Sequence, residues 1–340
     1  MVGIEDEVFL VDGELRLSHT AEEVLPRLGL PEAEAGFEAF ACELELRSPP
    51  SASAADAVAT LKRHRAAVRA AGATPLAAGL HPDAALADVR LVDRERYRRV
   101  GAELRGLLTQ RSPESALHVH VGMPDTDTAL RAFNGLRAHL PLLAGLAANS
   151  PFWFGRDSGM ASARAALVRA YPGRGVPPSF RDAEDFERSL EATLRAAGME
   201  DRTQVWWDLR PHAKLGTVEV REMDAQTDLD DARALAALIH ALALGAAEHG
   251  AAVDVSRDAL DWSMFRAARD GLRAEIVDEH GDVRPLPDVA RAVIGRLGEP
   301  HEGVERILRK GNGADRQRAV HARGGMPGLL RHLADRTIGA

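Results

Sequence analysis

Cysteine is almost absent from this chain of 340 residues, where Cys42 is the single example. One cysteine excludes a disulfide framework within the chain and any zinc site built from several thiolates. Cys42 alternates with apolar neighbours in a strand-like run, which predicts a buried structural thiol and not a nucleophile.

A basic leader and long apolar runs are also lacking. The longest apolar stretch, 232–247, is interrupted by Arg233 and His240, so it is too short and too polar to span a membrane. The N-terminal sequence MVGIEDEVFLVD is acidic and has neither the basic nor the apolar region of a signal peptide. We therefore expect a soluble, cytoplasmic protein.

Lysine is scarce, since it occurs only at positions 62, 214 and 310. No GxxxxGK[ST] sequence is present, which excludes a phosphate-binding P-loop. The net charge of −8 argues against a nucleic-acid partner. The hydrophobic content of 45% is enough for a sizeable core, and no linker or repeat divides the chain. We expect one catalytic domain over residues 1–340.

Short strand-like runs and amphipathic helices alternate irregularly, which favours an α+β fold with a mainly antiparallel sheet backed by helices. The predicted strands are 3–12, 39–47, 117–122, 205–210 and 217–222. The predicted helices are 54–68, 127–148 with a bend at Pro141, 183–197, 230–248, 286–297, 302–310, 314–322 and 326–335.

One face of each predicted strand carries charged or polar side chains, because residues two apart point the same way. The sets that share a face are Glu5 with Glu7, Glu43 with Glu45 and Arg47, His118 with His120, Trp206 with Asp208 and Arg210, and Thr217 with Glu219 and Arg221. A single strand of this kind is typical of a solvated sheet face. Five such strands, rich in acids and without lysine, indicate a divalent-metal site.

The choice of metal follows from the donor types. Two carboxylates about 4 Å apart repel by roughly 1 kcal/mol in water and more where water is scarce, so cations must neutralise such a face. Carboxylate oxygens with one imidazole suit Mg²⁺ or Mn²⁺, although the HxH spacing also occurs in zinc hydrolases. Arginines at 210, 221, 316 and 318 add the positive charge that phosphoryl transfer from a nucleotide requires.

The order of several motifs resembles the glutamate–cysteine ligase type 2 family, also called carboxylate–amine ligases, over about residues 2–336. The motifs are GIEDEVFLVD, ELELRSPP, AAGLHP, ERY, LHVHVG, ANSPFWFGRDSGMASAR, WWDLRPHAKLGTVEVREMD and RAARDGL. The resemblance implies a glutamine-synthetase-like catalytic fold, in which a curved antiparallel sheet holds ATP and divalent metals. It implies an enzyme that joins the side-chain carboxylate of glutamate to the amine of cysteine.

The resemblance also assigns residues. It implies five metal ligands: Glu5, Glu7, Glu45, His118 and Glu219. It implies that Arg210 and Arg221 bind ATP phosphates and serve catalysis, and that Arg164 and Arg156 bind a substrate carboxylate. Arg316, one of the arginines noted above, is a further candidate for binding ATP. His120, one step along the strand from His118, is expected to serve catalysis, facing the substrate or lying behind the metal.

Some motif positions depart from the family pattern, and these bear on the substrate. Leu80 replaces a usual threonine, Glu43 adds an acid, and the WSMF sequence at 262–265 lacks the expected pattern. The segment 171–180 is the candidate closing loop. The expected partners are small-molecule amino acid and amine substrates, without nucleic acid or membrane, and self-association is left open. The alternatives are a guanidino-kinase-like phosphotransferase and a catalytically silent nucleotide-binding regulator.

Overall fold

A computed structural model describes residues 1–109, 112–251, 253–298 and 301–339. Its strands are β1 (Val2–Val11), β2 (Ala35–Phe37), β3 (Glu43–Arg47), β4 (Thr74–Leu76), β5 (Ala116–Gly122), β6 (Phe152–Trp153), β7 (Arg156–Asp157), β8 (Leu209–His212), β9 (Thr217–Asp224), β10 (Glu275–Val277) and β11 (Val283–Pro285). Its α-helices are α1 (Ala21–Val24), α2 (Ala54–Ala70), α3 (Glu95–Thr109), α4 (Thr126–Arg137), α5 (Leu140–Ala147), α6 (Ala163–Val168), α7 (Ala183–Ala197), α8 (Leu229–His249), α9 (Arg257–Asp270), α10 (Leu286–Arg296), α11 (Glu302–Lys310) and α12 (Gly313–Thr337).

The main sheet is antiparallel and has the strand order β2-β3-β1-β5-β9-β8, with β4 paired to β1. One face of this sheet is apolar and packs on the helices α2, α4 and α8. The core on this face includes Ile4, Val8, Leu44, Val119 and Val220. The α+β architecture expected from the sequence, a mainly antiparallel sheet backed by helices, is confirmed.

Several predicted boundaries were wrong for local reasons. The strand predicted at 39–47 begins only at Glu43, and the strand predicted at 205–210 is shifted to Leu209–His212. The bent helix predicted at 127–148 is two helices that meet at His139, with Pro141 in the first turn of the second. The two last predicted helices form one stretch, α12, which is kinked at Gly325 with a φ of 61°.

Other elements were not predicted. These are α1, α3, α6, α9, β2, β4 and the two hairpins β6–β7 and β10–β11. Cys42 is buried and free, as the sequence predicted, and burial raises its pKa well above the usual range of a thiol. Within the described residues, no helix is both long enough and apolar enough to cross a lipid bilayer.

A buried ion pair connects β1 to the rest of the fold. Asp6 has no exposed surface, and it accepts hydrogen bonds from Arg65 of α2 at 2.7 and 2.8 Å. The same guanidinium donates to the backbone carbonyls of Gln226, Thr227 and Thr337. These contacts tie β1, α2, the segment after β9 and the end of α12 together. They also hold Asp6 on the helix side of the sheet, so Glu5 and Glu7 must face the other side.

We expect Arg65→Ala to destabilise the protein by about 3–5 kcal/mol, because it leaves the Asp6 carboxylate buried without a partner. The free energy of unfolding in guanidinium chloride measures this loss. Arg63→Ala on the exposed side of the same helix is the control, with an expected change within about 0.5 kcal/mol. Equal losses in the two variants would contradict a special role for the buried pair.

Candidate active site

The polar face of the sheet brings the predicted acids and histidines into neighbouring rows. Glu5 lies opposite His118 across β1 and β5, and Glu7 lies opposite Glu45 across β1 and β3. His120 lies opposite Glu219 on β9. Residues directly opposite each other on antiparallel strands have side chains within contact range, so register alone assembles these groups.

Glu5 lies between the two histidines. Its carboxylate is 2.9 Å from Nδ1 of His118 and 3.2 Å from Nε2 of His120. Nδ1 of His120 is 3.1 Å from the hydroxyl of Thr217, and Nε2 of His120 is also 3.8 Å from Glu219. Both imidazoles are buried, so their neighbours on the sheet fix their orientation.

The arginines of the site surround Glu219. Arg210 lies opposite Glu219 on β8 and donates to it at 2.6 Å, and Arg221 forms a second ion pair with the same carboxylate. Glu219 is completely buried. Burial alone would raise the pKa of Glu219, but the charges of Arg221, His120 and Arg210 hold it below the usual range. This carboxylate is therefore ionised and positions both guanidinium groups.

A bulge in β9 changes which side chains face the site. Leu117 pairs with Met223 and Val119 pairs with Val220, so one residue of β5 is opposite two residues of β9, Arg221 and Glu222. Val220 and Met223 both lie in the apolar core. The two residues between them are therefore both directed away from that core.

These side chains border a cavity of about 390 Å³. Of the predicted residues, those lining it are Glu5, Glu7, Glu45, His118, Arg164, Arg210 and Arg221. Side chains that the sequence had not assigned to a site also line it, including Glu38, Arg47, Arg96, Tyr97, Glu114, Tyr171 and Arg174. Glu43, noted in the sequence only as an added acid, borders the same space.

In the part of the chain that the structure describes, three overlapping groups of side chains have the spacing of metal ligands. They are Glu5 with Glu45 and His118, Glu5 with His120 and Glu219, and Glu7 with Glu38 and Glu45. Within each group, the ligand atoms lie within 4.8 Å of one another. The donors are mostly carboxylate oxygens with a single imidazole or none, which fits Mg²⁺ or Mn²⁺ better than Zn²⁺. Nε2 of His120 points between the carboxylates of Glu5 and Glu219, at 3.2 and 3.8 Å.

Glu7, Glu38, Glu43 and Glu45 line one part of the cavity, which we call the acidic end. Without cations, their negative charges repel one another. Burial raises the pKa of Glu7 well above its usual range, and the negative charge of Glu38 acts in the same direction. Burial also raises the pKa of Glu45, with Glu5 and Glu38 adding to the effect. Burial lowers the pKa of His118 to about 4, so its imidazole is neutral near pH 7 and has a lone pair to donate.

The chain matches the family model described as glutamate–cysteine ligase family 2 over residues 1–333. A candidate glutamate–cysteine ligase 2-3 of Rubrobacter xylanophilus is 40% identical, and the match covers 99% of this chain and 96% of that protein. The glutamate–cysteine ligase of Haloferax volcanii is 34% identical, over 98% of this chain and 95% of the relative.

This chain belongs to glutamate–cysteine ligase family 2. A crystal structure of the Francisella tularensis glutamate–cysteine ligase in complex with AMP is similar in fold. Its TM-score is 0.72 at 13% identity, and the match covers all of this chain and 89% of that one. Membership confirms the resemblance seen in the motifs, and with it the assignment of the chain to an enzyme family of ligases.

Two arginines that were predicted to bind ATP or substrate, Arg316 and Arg156, do not line the cavity. Arg316 forms an ion pair with Asp231 and donates to the backbone carbonyl of Gly311 at 2.7 Å. Asp231 is almost completely buried and is also paired with Arg306. The charge of Arg316 therefore helps to compensate this buried carboxylate. Arg156 is exposed on the β6–β7 hairpin. The structure therefore does not bring these two arginines together with the other predicted site residues.

Arg318, the other arginine considered for phosphate, is also outside the cavity. It forms a two-pronged ion pair with Asp157, at 2.8 and 2.9 Å, and donates to the carbonyl of Met160. Arg164, in contrast, is buried at the cavity wall and donates to the backbone carbonyl of Glu222 at 3.0 Å. Only Arg164 of the two predicted carboxylate-binding arginines is placed to meet a ligand in this cavity.

We expect Glu43→Gln to stabilise the metal-free protein by about 1 kcal/mol at pH 8. Burial raises the pKa of Glu43 well above the usual range, and Glu7 and Glu38 act in the same direction. The ionised form is disfavoured in the folded state, so Glu43 destabilises the protein at pH 8, and this cost declines as the pH falls below the raised pKa toward the ordinary pKa of glutamate. Thermal unfolding in excess chelator between pH 5 and pH 8 measures the difference.

Glu279→Gln is the matched control, because Glu279 is also buried but is paired with Arg296 away from the cavity. We expect this control to destabilise the protein by removing half of an ion pair. A destabilised Glu43→Gln variant at pH 8 would contradict the electrostatic strain described for the acidic end.

Proposed function

We propose that this protein is an ATP-dependent carboxylate–amine ligase that joins the side-chain carboxylate of glutamate to the amine of cysteine. The observation that carries the proposal is that one cavity is lined both by candidate metal ligands and by Arg210 and Arg221. Family membership supports it, as do relatives named glutamate–cysteine ligase and a similarly folded ligase in complex with AMP. The partners we propose are small molecules only.

The reaction needs an activated carboxylate, because direct attack by an amine would have to expel oxide. An oxygen of the carboxylate attacks the γ-phosphorus of ATP, the bond to the β-phosphate oxygen breaks, and ADP leaves with the electron pair. The product is an acyl phosphate. The amine nitrogen then attacks the acyl carbon, inorganic phosphate leaves, and the amine gives up its proton, so that an amide forms.

Carboxylate and triphosphate repel each other, so positive charge has to bring them together. Arg210 and Arg221 are fixed by the Glu219 carboxylate and supply two guanidinium groups at the cavity wall. Arginine suits this task because its planar donor array matches phosphate oxygens in pairs. Arg164 lines the same cavity, and we propose that it binds a carboxylate of the amino acid substrate.

The side chains that would hold divalent cations are those of the five residues implied by the sequence, with Glu38 added because it groups with Glu7 and Glu45. His120 groups with Glu5 and Glu219, but we place it toward the substrate. A bound Mg²⁺ or Mn²⁺ would neutralise phosphate oxygens and the crowded carboxylates. The protein's own contribution is the rigid sheet register, which keeps these acids together despite their repulsion.

The proposed function is tested by phosphate release from ATP with Mg²⁺ and crossed panels of amino acids and amines. A ligase releases phosphate only when an acid and an amine are both present, and an amide appears in equal amount. A phosphotransferase needs one acceptor and forms no amide, and a silent regulator releases no phosphate. Phosphate release with glutamate and cysteine together, accompanied by the dipeptide, is the expected result.

The two histidines are expected to respond differently to Mg²⁺. His118→Gln removes a neutral imidazole donor beside Glu5 and Glu45 and should raise the Mg²⁺ concentration for half-maximal activity at least about tenfold. His120→Gln should lower kcat or substrate affinity and leave that concentration within about threefold, because we place His120 toward the substrate. Phosphate release over a Mg²⁺ titration measures both variants.

Equal shifts in the two variants would show that the histidines form one metal site, since His120 also groups with Glu5 and Glu219. Unchanged activity in both variants would remove the histidines from the site. Direct Mn²⁺ binding, followed by electron paramagnetic resonance, separates loss of metal from loss of turnover.

A further inference from the structure

A second group of charged side chains adjoins the cavity at the bulge of β9. We call it the Glu222 cluster, and it consists of Glu222, Asp208, Arg164 and Arg174. Glu222, Asp208 and Arg164 are 6%, 2% and 1% exposed. Arg164 and Arg174 also line the cavity, and Arg164 donates to the backbone carbonyl of Glu222 at 3.0 Å. The cluster therefore reaches the cavity through its two guanidinium groups.

The cluster contains unsatisfied atoms of both kinds. Among the described residues, both carboxylate oxygens of Glu222 and Oδ2 of Asp208 have no hydrogen-bond partner, and Nη2 of Arg169 lies 3.7 Å from that Oδ2 in an ion pair. The same holds for Nε of Arg164 and Nη1 of Arg174. Buried polar atoms of this kind are rare in folded proteins, and each needs a partner of the complementary type. Here the acceptors need a donor and the donors need an acceptor.

The charges of the cluster restrict the partner. Burial raises the pKa of Glu222 well above its usual range and the charge of Asp208 acts in the same direction, while the charges of Arg164 and Arg174 lower it without restoring the usual value. A simple anion would satisfy the arginines but would be repelled by two acids. A simple cation would satisfy the acids but would be repelled by the arginines. A zwitterion, with a carboxylate next to an ammonium group, satisfies both.

We propose that Glu222, assisted by Asp208, binds the ammonium group of an α-amino acid whose α-carboxylate is bound by Arg164 and Arg174. This inference rests on the proposed ligase function, in which one substrate is an acidic amino acid. The bound ammonium belongs to that acid substrate and not to the attacking amine. A carboxylate beside an amine stabilises the protonated form of the amine, whereas the attacking amine must lose its proton. Glu222 is thus a specificity-determining residue for the acid that is activated.

The test compares two ligands that differ only in the ammonium group, L-glutamate and glutarate. Their affinities are measured by isothermal titration calorimetry in the presence of Mg²⁺ and a non-hydrolysable ATP analogue. The proteins are the wild type, Glu222→Gln, and Glu279→Gln as a buried glutamate away from the cavity. Circular dichroism checks the fold of each variant. If Glu222→Gln does not fold, Glu222→Asp replaces it, and its shorter side chain should weaken glutamate binding without affecting glutarate.

We expect the wild type to bind L-glutamate at least about tenfold more tightly than glutarate, which is the usual effect of one charge-assisted hydrogen bond. Glu222→Gln should reduce this preference to about threefold or less, through weaker glutamate binding alone, whereas Glu279→Gln keeps it. A Glu222→Gln variant with the wild-type preference overturns the inference, as does a wild type that binds both ligands equally or neither.

Phosphate release separates this result from the proposed function. Turnover with glutamate and an amine, combined with a preference that does not depend on Glu222, leaves the ligase intact and removes the Glu222 cluster as a substrate site. Absence of turnover with every pair, combined with a preference that does depend on Glu222, removes the ligase and keeps the amino acid site.

Discussion

The ion pair between Asp6 and Arg65 fixes the strand on which the whole site depends. β1 lies at the centre of the sheet, between β3 and β5, and supplies Glu5 and Glu7. Because side chains alternate along a strand, a slip of one residue would move Asp6 into the cavity and both glutamates into the apolar core. The Arg65 guanidinium opposes that slip by satisfying Asp6 together with three backbone carbonyls. The contacts that stabilise the helix side of the sheet therefore also fix the positions of Glu5 and Glu7 on the cavity side.

Positive and negative side chains are concentrated in different parts of the cavity. Glu219 is neutralised by two arginines, whereas Glu7, Glu38, Glu43 and Glu45 are crowded together with raised pKa values. One end thus presents guanidinium groups and the other presents crowded carboxylates, which under the proposed function would face phosphate groups and cations. A nucleotide that carries its own divalent ions is complementary to both ends at once, which is the pattern expected for electrostatic preorganisation.

Alternation along β1, β5 and β9 was enough to predict which acids and histidines share a face, because register follows from apolar burial. Glu38 and Arg174 could not be predicted in this way, since they lie in irregular segments that carry no periodicity. Arg316 was misplaced because its partner Asp231 is far away in sequence, and only the packing of α12 against the start of α8 brings the two together. The roles of the site residues remain predictions that geometry makes specific.

The bulge in β9 gives two consecutive positions separate surroundings. Simple alternation would assign Glu222 to the core, where a carboxylate cannot be accommodated, but the extra residue turns positions 221 and 222 to the same side. Arg221 lines the cavity, while its immediate neighbour Glu222 lies close to the charges of the cavity-lining Arg164 and Arg174. Under our two proposals, a substitution at position 222 would change the preference for the acid substrate and leave Glu219 and Arg221 in place.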